Sequence, residues 1–558
     1  MLIKSSPKIF NGYKCNKPED TISLIKKGLD DLSLHTRYIK RRVHSRMASL
    51  FSGDLHLSEI NFSTTGKGTS EILAEASAYA EMAERISTGF FYLIDYNPED
   101  FYEKTMGIIE RRYLKGFHRE YANNTSLRDV QSYVRYLNSK QYDMLIENGL
   151  LDIGVDAYDP IHKEYTTVPI TLIDFIAGSN GLASGNTLEE AITQASCEAF
   201  ERYAVSKILT EKIICPTIDN DSIKNKKIRK YLKLFNELNI EVILKDFSLN
   251  KGLPVIGAFF INHNFDNDEN PIKKIFFYEM IDAGSSVNLE EAILRSLTER
   301  VQETTNEKLT TYKEMEKLYN NWHDALGKTV EQQKEDFRFF SRHYICRGKL
   351  SFLEKGTEIK FKELKSEANK DFLEDCERVF EICKQNNWEM NIVDFTHKIL
   401  RFPAIRVIIK PISIDYDPFI KTLVGIYDDE KRFNFFYGIN EFYKYVNDDK
   451  WLRDKDEIKN LIENIEKYLS LNLPFYKINI VRGLFYQPVN LFKILSKLYL
   501  SIGEKEISEK YAKFNKCTDN TKESRDILNK NPFKPRPHSK SEKDEKTKIL
   551  DKLISSFY

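Results

Sequence analysis

Three segments of this chain carry carboxylates at a spacing that could do chemistry. They read Ser77-Ala-Tyr-Ala-Glu81-Met-Ala-Glu84-Arg85, Ser196-Cys-Glu198-Ala-Phe-Glu201-Arg202 and Arg295-Ser-Leu-Thr298-Glu299-Arg-Val-Gln302. Each puts two carboxylates, or a carboxylate and an amide, on one face of a helix, because side chains three apart are helical neighbours. The flanking Ala, Ser and Ile mark these faces as partly buried, and a buried charge needs a partner. Any one pair reads most simply as a solvated face with local salt bridges. Three in one chain point to a shared polar centre, and a centre of glutamates points to divalent cations. Magnesium is held by a few carboxylates together with substrate phosphates. Arg85 and Arg202 adjoin the pairs and could meet phosphate oxygens with a planar fork. The set suits a magnesium–nucleotide site better than a hydrolytic acid/base pair.

Two glycine-rich approaches precede these helices. Gly66-Lys67-Gly68-Thr69 could cradle phosphate with backbone amides at a helix N-terminus, or be a plain turn. It lacks the Walker spacing. Ser179 to Thr187 is rich in Gly and small polar residues, and Thr187-Leu-Glu-Glu190 reads as a capping box. No Gly-x-Ser-x-Gly elbow and no His-Glu-x-x-His pattern occurs, so no nucleophile is evident.

Composition narrows the classes. The 558 residues exceed a single core, so two or more domains are expected. Lys plus Arg and Asp plus Glu number 84 each, so bulk charge makes no case for nucleic acid or a membrane surface. Seven cysteines without a Cys-x-x-Cys pair argue against a disulfide framework, a zinc ribbon or a cysteine-ligated cluster. The start MLIKSSPKIF lacks an apolar signal core, and no run of eighteen apolar residues occurs. A cytoplasmic protein is expected.

The elements that must position the glutamates are legible as a repeated order of strand, Gly/Ser segment and helix. Residues 17–33 read as an amphipathic helix entered by Pro18. A strand through Leu57, Ile60 and Phe62 leads to the first signature helix near Ser70, and residues 100–165 read as mostly helical. Tyr165 to Ile176 reads as a strand before the second. Ile240–Lys245, Leu253–Ile261 and Ile275–Met280 read as strands before the third, and Ala404–Ile412 as another strand. Residues 440–515 read as helical, with a hairpin from Leu491 to Phe514 broken at Gly503, and form the expected partner or dimer surface. The last residues, 516–558, are charged and contain Pro532, Pro535 and Pro537, as in a flexible tail.

Taken together, these motifs resemble the YcaO family. The resemblance rests on Ser77 to Arg85, on Ser179 to Ala191 followed by Glu198 and Glu201-Arg202, and on Arg295 to Gln302. It implies an α+β fold, with sheets flanked by Glu-rich helices and a small all-α C-terminal region. The domains would be 1–439 for ATP binding, 440–515 for the helical region and 516–558 for the tail. It also implies ATP and Mg2+ as cofactors. By position, Glu81, Glu84, Glu198, Glu201 and Glu299 would hold magnesium. Lys14, Thr21, Ser77, Asn186, Glu190, Arg202 and Gln302 would contact nucleotide or orient the ligands.

The chemistry implied by the resemblance is activation of a peptide or protein backbone amide by phosphorylation. The stand-alone enteric branch, which this chain resembles most, implies a homodimer and a link to ribosomal protein methylthiolation with a radical-SAM methylthiotransferase. The alternative is a non-catalytic ATP-binding accessory protein for that reaction. Azoline formation is less favoured, since the Pro-containing tail is followed by some twenty residues ending in Ser-Ser-Phe-Tyr. Thioamide synthesis is less favoured as well.

Overall fold

In the computed structural model, the residues described are 1–41, 51–57, 59, 62–88, 117–119, 125–133, 139, 142–143, 146, 151, 153–177, 179–267, 278–303, 350–364, 366, 369–413, 455–472, 477–482 and 485–519. The chain divides into two compact units. One comprises Met1–Leu309, Ile345–Gly425 and Lys552–Tyr558, and the other Thr310–Tyr344 and Ile426–Asp551.

The first unit runs α1 (Pro18–Asp31), β1 (Thr36–Arg41), β2 (Phe51–Leu57), β3 (Phe62–Gly68), α2 (Glu71–Ser87), β4 (Phe117–Arg119), α3 (Leu127–Gln131), β5 (Ile153–Asp159) and β6 (Glu164–Pro169). It continues α4 (Ile170–Ala177), β7 (Leu182–Ser184), α5 (Leu188–Glu211), β8 (Thr217–Ile218), α6 (Lys226–Glu237), β9 (Ile240–Asp246), β10 (Val255–Asn262), β11 (Glu279–Ser285) and α7 (Leu289–Glu303). It ends β12 (Glu358–Ile359), α8 (Phe372–Gln385), β13 (Glu389–Asp394) and β14 (Ala404–Lys410). Strands β1-β2-β3 form one sheet, β11-β10-β9-β8-β12 a second, and β4-β5-β13-β14-β7 a third, on which β6 pairs with β5. The architecture is α+β.

A threefold strand-to-helix order is present as β3–α2, β7–α5 and β11–α7, but the strand before α5 is β7, within the segment Ser179–Thr187 whose composition reads as a Gly/Ser loop, and not Tyr165–Ile176. A glycine near each strand end sets how closely its helix approaches. A β-carbon on Gly66 would collide with the Ala74 carbonyl, one on Gly185 with the Ala191 amide, and one on Gly284 with the Ala292 carbonyl. This corrects the reading of Gly66-Lys67-Gly68-Thr69 as a phosphate-cradling loop or turn. Gly66 and Gly68 belong to β3, and glycine is required there because the strand lies against α2. The turn is left to Thr69 and Ser70, whose side chain caps α2 by accepting from the Leu73 amide.

Helix α5 forms the axis of the unit. It is apolar on most sides, with Ala191, Ile192, Ala195, Ala199, Phe200, Ala204 and Ile208 all buried, as befits a helix with neighbours all round. Ile405, Val407 and Ile409 of β14 and Val255, Phe259 and Ile281 of β10 and β11 share its core cluster. A buried helix can present polar side chains only where neighbours supply partners, which concentrates its glutamates into a site.

Three readings are corrected. The apolar run from Ile170 turns into helix α4 instead of continuing the strand. The third strand falls at Glu279–Ser285, later than Ile275–Met280. Among the described residues of 100–165, strands β4, β5 and the start of β6 accompany the short helix α3. In the second unit, α9 (Lys455–Asn472), α10 (Leu491–Ser501) and α11 (Lys505–Asp519) are helical as expected, but a hairpin of β15 (Lys477–Arg482) and β16 (Phe485–Asn490) lies between them in sequence. The expected tail, 516–558, lies outside the described residues apart from the end of α11. No helix among the described residues is long and apolar enough to cross a membrane.

Candidate functional site

The first part of the site forms where the N-terminal segment meets the start of α5. Thr187 caps α5 by accepting from the Glu190 amide at 3.2 Å. That places Glu190 in the first turn, where helix amides favour a carboxylate. Its side chain is buried and fully engaged. Lys14 Nζ donates to Oε1 at 2.9 Å, the Cys15 amide to Oε2 at 3.3 Å, and Asn186 Nδ2 to both oxygens at 3.2 and 3.0 Å. Asn186 Oδ1 in turn accepts from Thr21 Oγ1 at 2.6 Å. Four of the expected nucleotide contacts, Lys14, Thr21, Asn186 and Glu190, therefore form one network. Burial alone would raise Glu190, but Lys14 and the donated hydrogen bonds hold it below the usual carboxylate value. Burial pulls Lys14 down, and Glu190 more than restores it above the ordinary lysine value.

The second part lies along the three glutamate helices. On α2, Arg85 meets Glu81 at 3.3 Å and Glu84 at 3.2 Å. On α5, Glu198 faces Arg202 at 3.8 Å. On α7, Glu299 pairs with Lys67 of β3, and Arg295 donates to Gln194 of α5 at 2.6 Å. Ser184 of β7 donates to the Ala80 carbonyl at 2.7 Å and ties α2 to the strand feeding α5. The carboxylates of different helices feel one another. Burial pushes Glu84 up to about 8 against the opposing pull of Arg85, and the charges on Glu198 and Glu81 push the same way. Burial also raises Glu198, with Arg202 opposing and Glu201 reinforcing. Burial and the neighbouring Arg295 lower Lys67 to about 8, against the pull of Glu201 and Asp282.

Ser77 lies a turn before Glu81 and is half-buried; among the described residues no hydrogen bond joins it to the other expected contacts. Gln302 lies in the last turn of α7, and its side chain is outside the described residues. Among the described residues no three His, Cys, Asp or Glu side chains form a ready-made metal cage. The donor set nevertheless fits magnesium and phosphate. It offers carboxylate oxygens from different helices whose burial and mutual repulsion a cation would relieve, interleaved with arginines that would meet anionic oxygens. Sequence reasoning did not single out Lys67 and Arg295 as site residues. Lys67 stands in the glycine segment and Arg295 in the third motif, so the signal for both was present.

The chain is 26% identical over 274 residues to an uncharacterized protein of Haemophilus influenzae, covering 43% of this chain and 40% of that one. It is 25% identical over 221 residues to the ribosomal protein S12 methylthiotransferase accessory factor YcaO of Escherichia coli, covering 36% of this chain and 35% of that one. The matches thus span less than half the length of either relative. Among solved structures, a heterocyclase in complex with substrate and cofactor superposes with a TM-score of 0.52 at 14% identity, over 74% of this chain and 54% of that one. That likeness shows the fold. The family model described as YcaO cyclodehydratase, ATP- and Mg2+-binding, matches residues 65–411. The match takes in all three glutamate helices and well over half of the 558 residues, so the chain belongs to the YcaO family, whose cofactors are ATP and magnesium.

Proposed function

We propose that this chain uses ATP and magnesium to activate the backbone amide of a peptide or protein substrate. The observation that carries the reading is the meeting of α2, α5 and α7 in one charged region, where Glu84 feels Glu198 and Lys67 feels Glu201, Arg202 and Arg295. After a nucleophile adds to the amide carbonyl, bound magnesium–ATP would supply a phosphoryl group to the resulting oxyanion, so that the oxygen, otherwise a poor leaving group, leaves as phosphate. Glu81, Glu84, Glu198, Glu201 and Glu299 would hold magnesium, and Arg202 with Arg85 would meet phosphate oxygens. Lys14, Thr21, Asn186 and Glu190 would hold the nucleotide in the tight network at the start of α5, with Ser77 and Gln302 completing the set. Such a protein works on a peptide or protein partner, as a cytoplasmic homodimer with domains at 1–439 and 440–515 and a tail at 516–558.

Similarity to the Escherichia coli accessory factor favours a second reading. In it the chain binds ATP as a non-catalytic accessory to ribosomal protein methylthiolation, beside a radical-SAM methylthiotransferase.

The test is ATP binding and magnesium-dependent turnover by the purified protein against Glu201→Gln. Binding with slow turnover that the substitution abolishes supports the catalytic reading. Binding without turnover in the presence of candidate peptides favours the accessory reading. No binding by the folded wild type overturns both.

A further inference from the structure

Two adjacent acids open helix α5, and only one of them belongs to the network described above. Glu189 and Glu190 are 1% and 2% exposed. Glu190 takes the Lys14 ammonium and the Cys15 amide. Glu189 takes earlier residues of the same segment: it accepts from the Lys4 amide at 2.7 Å and from Ser6 Oγ at 2.6 Å. Among the described residues no Lys or Arg pairs with it, so this buried carboxylate depends on neutral donors and on the helix N-terminus. A buried charge left without such donors is costly.

The segment is fixed a second time, on α8. The Ser6 amide donates to Asp371 at 2.6 Å, the Lys8 amide to the Lys370 carbonyl at 2.8 Å, and the Phe372 amide to the Ser6 carbonyl at 3.0 Å. Lys8 pairs with Asp375, both side chains being buried. Between the anchors and the site the chain reverses at Asn11 and Gly12, both with positive φ, and the Phe10 amide closes the turn on the Lys14 carbonyl at 2.9 Å. Lys14 therefore reaches Glu190 from a segment held both at Glu189 and at the start of α8.

We infer that residues 1–15 form a strap that completes the nucleotide site, with Glu189 as the positioning residue that seats it and thereby places Lys14. The inference rests on the ATP-site reading above and deepens it. Glu189 touches no nucleotide; it acts through Lys14. Its loss weakens ATP binding and leaves the chemical step alone.

The experiment uses the full chain as wild type, Glu189→Ala, Glu189→Gln, Lys14→Met and the double variant Glu189→Ala/Lys14→Met. Two quantities are measured: ATP kinetics with magnesium, and the alkylation rate of Cys15 followed by peptide mapping. Cys15 is 5% exposed in the seated strap, so its alkylation reports release. Glu189→Ala should raise KM for ATP about tenfold with kcat within about twofold. Gln still accepts from the Lys4 amide and can donate to Ser6 Oγ, so Glu189→Gln should restore KM to within about threefold of wild type. The double variant should be no worse than Lys14→Met, because both changes remove one effect. Cys15 should alkylate about tenfold faster in Glu189→Ala. Should Glu189→Ala fail to fold, Ser6→Ala removes one of the two donors and should move both readouts the same way by about threefold.

Unchanged KM with a reactive Cys15 overturns the positioning role. Unchanged Cys15 reactivity in Glu189→Ala overturns the seating role. A fall in kcat together with thermal stability, with KM unchanged, marks Glu189 as merely structural and also overturns the inference. If the wild type binds no ATP, the functional reading itself falls, and Cys15 alkylation still decides whether Glu189 seats the strap.

Discussion

The start and the middle of helix α5 are built on opposite principles. At the start, Glu190 takes donors from Lys14 and Cys15, 176 and 175 residues away in sequence, and from the nearby Asn186, and each of its oxygens is engaged. Further along, Glu198 meets Arg202 one turn away at 3.8 Å, and on α2 Glu84 shares Arg85 with Glu81. The first region is finished without a ligand. In the second, carboxylates are crowded so that their neighbours and burial oppose their charge. A site that must accept a cation is most useful where carboxylates are underneutralised, and a site that must orient a base or sugar where side chains are already fixed. On the proposed reading, magnesium would sit at the crowded middle of the helix and the nucleotide at its finished start.

The largest expected effect breaks the crowded region. Glu84→Gln keeps the shape and removes a carboxylate whose ionisation burial and Glu198 disfavour, so that the side chain can no longer lose a proton to a cation. Magnesium-dependent ATP turnover should fall by about 100-fold or more, while the urea midpoint stays level or rises. A loss of activity accompanied by an equal loss of stability would end the contrast. Glu190→Ala should do the reverse to the fold. It strands the Lys14 ammonium, the Cys15 amide and the Asn186 side chain, and should cost about 3 kcal/mol in urea unfolding. A cost under about 0.5 kcal/mol, typical of a surface change, would mean that the network does not hold the segment.

Stability against pH sharpens the comparison, because the two glutamates shift in opposite directions. Glu84 holds its proton more tightly folded than unfolded, so its contribution is full below about 4.3, the ordinary value, and is lost as pH rises through about 8. Glu190 is lowered, so its contribution is present above about 4.3 and is lost as pH falls below it. Between pH 5 and 8 the stability of Glu84→Gln relative to wild type should therefore rise with pH, by at most about 1.4 kcal/mol per unit. That of Glu190→Gln should stay flat over the same range and improve only in acid. His397 titrates in all three proteins. Burial lowers it to about 4, and its Nδ1 accepts from the Ile399 and Leu400 amides. Its contribution, full above about 6.5 and lost toward pH 4, cancels in the differences. Parallel curves for the two variants would refute the opposed shifts.

Much of this was legible in the chain. The threefold strand-to-helix order is written in local pattern, because a helix face with Glu at fixed spacing after a glycine is a short-range signal. The crowded carboxylates were legible for the same reason, each motif lying within one helix. What the sequence hid is long-range. Glu189 is an ordinary first-turn acid until Lys4 and Ser6 arrive from more than 180 residues away. The purpose of Gly66 depends on a helix carbonyl that packs against it. Helix α4 reads as strand because Tyr165 to Ile176 alternates apolar and polar residues and is rich in β-branched ones, and Ile170–Ala177, with Thr171 and Asp174 among apolar residues, is too short to betray a helical period.

The smallest test probes the edge of the finished region. Thr21 Oγ1 donates to Asn186 at 2.6 Å and, more weakly, lies 3.3 Å from the carbonyl of Lys17, the residue that precedes its own helix α1. Thr21→Val keeps the shape and removes the hydroxyl. One neutral hydrogen bond is worth about 1 kcal/mol, so stability should drop by about that amount. Asn186 still donates to Glu190 through Nδ2 and keeps its place, but loses one of its two restraints. If the network is rigid because several bonds share the load, KM for ATP should rise only about threefold with kcat unchanged. A rise as large as that of Lys14→Met would mean that Thr21 touches the nucleotide itself, and the finished region would then extend onto α1.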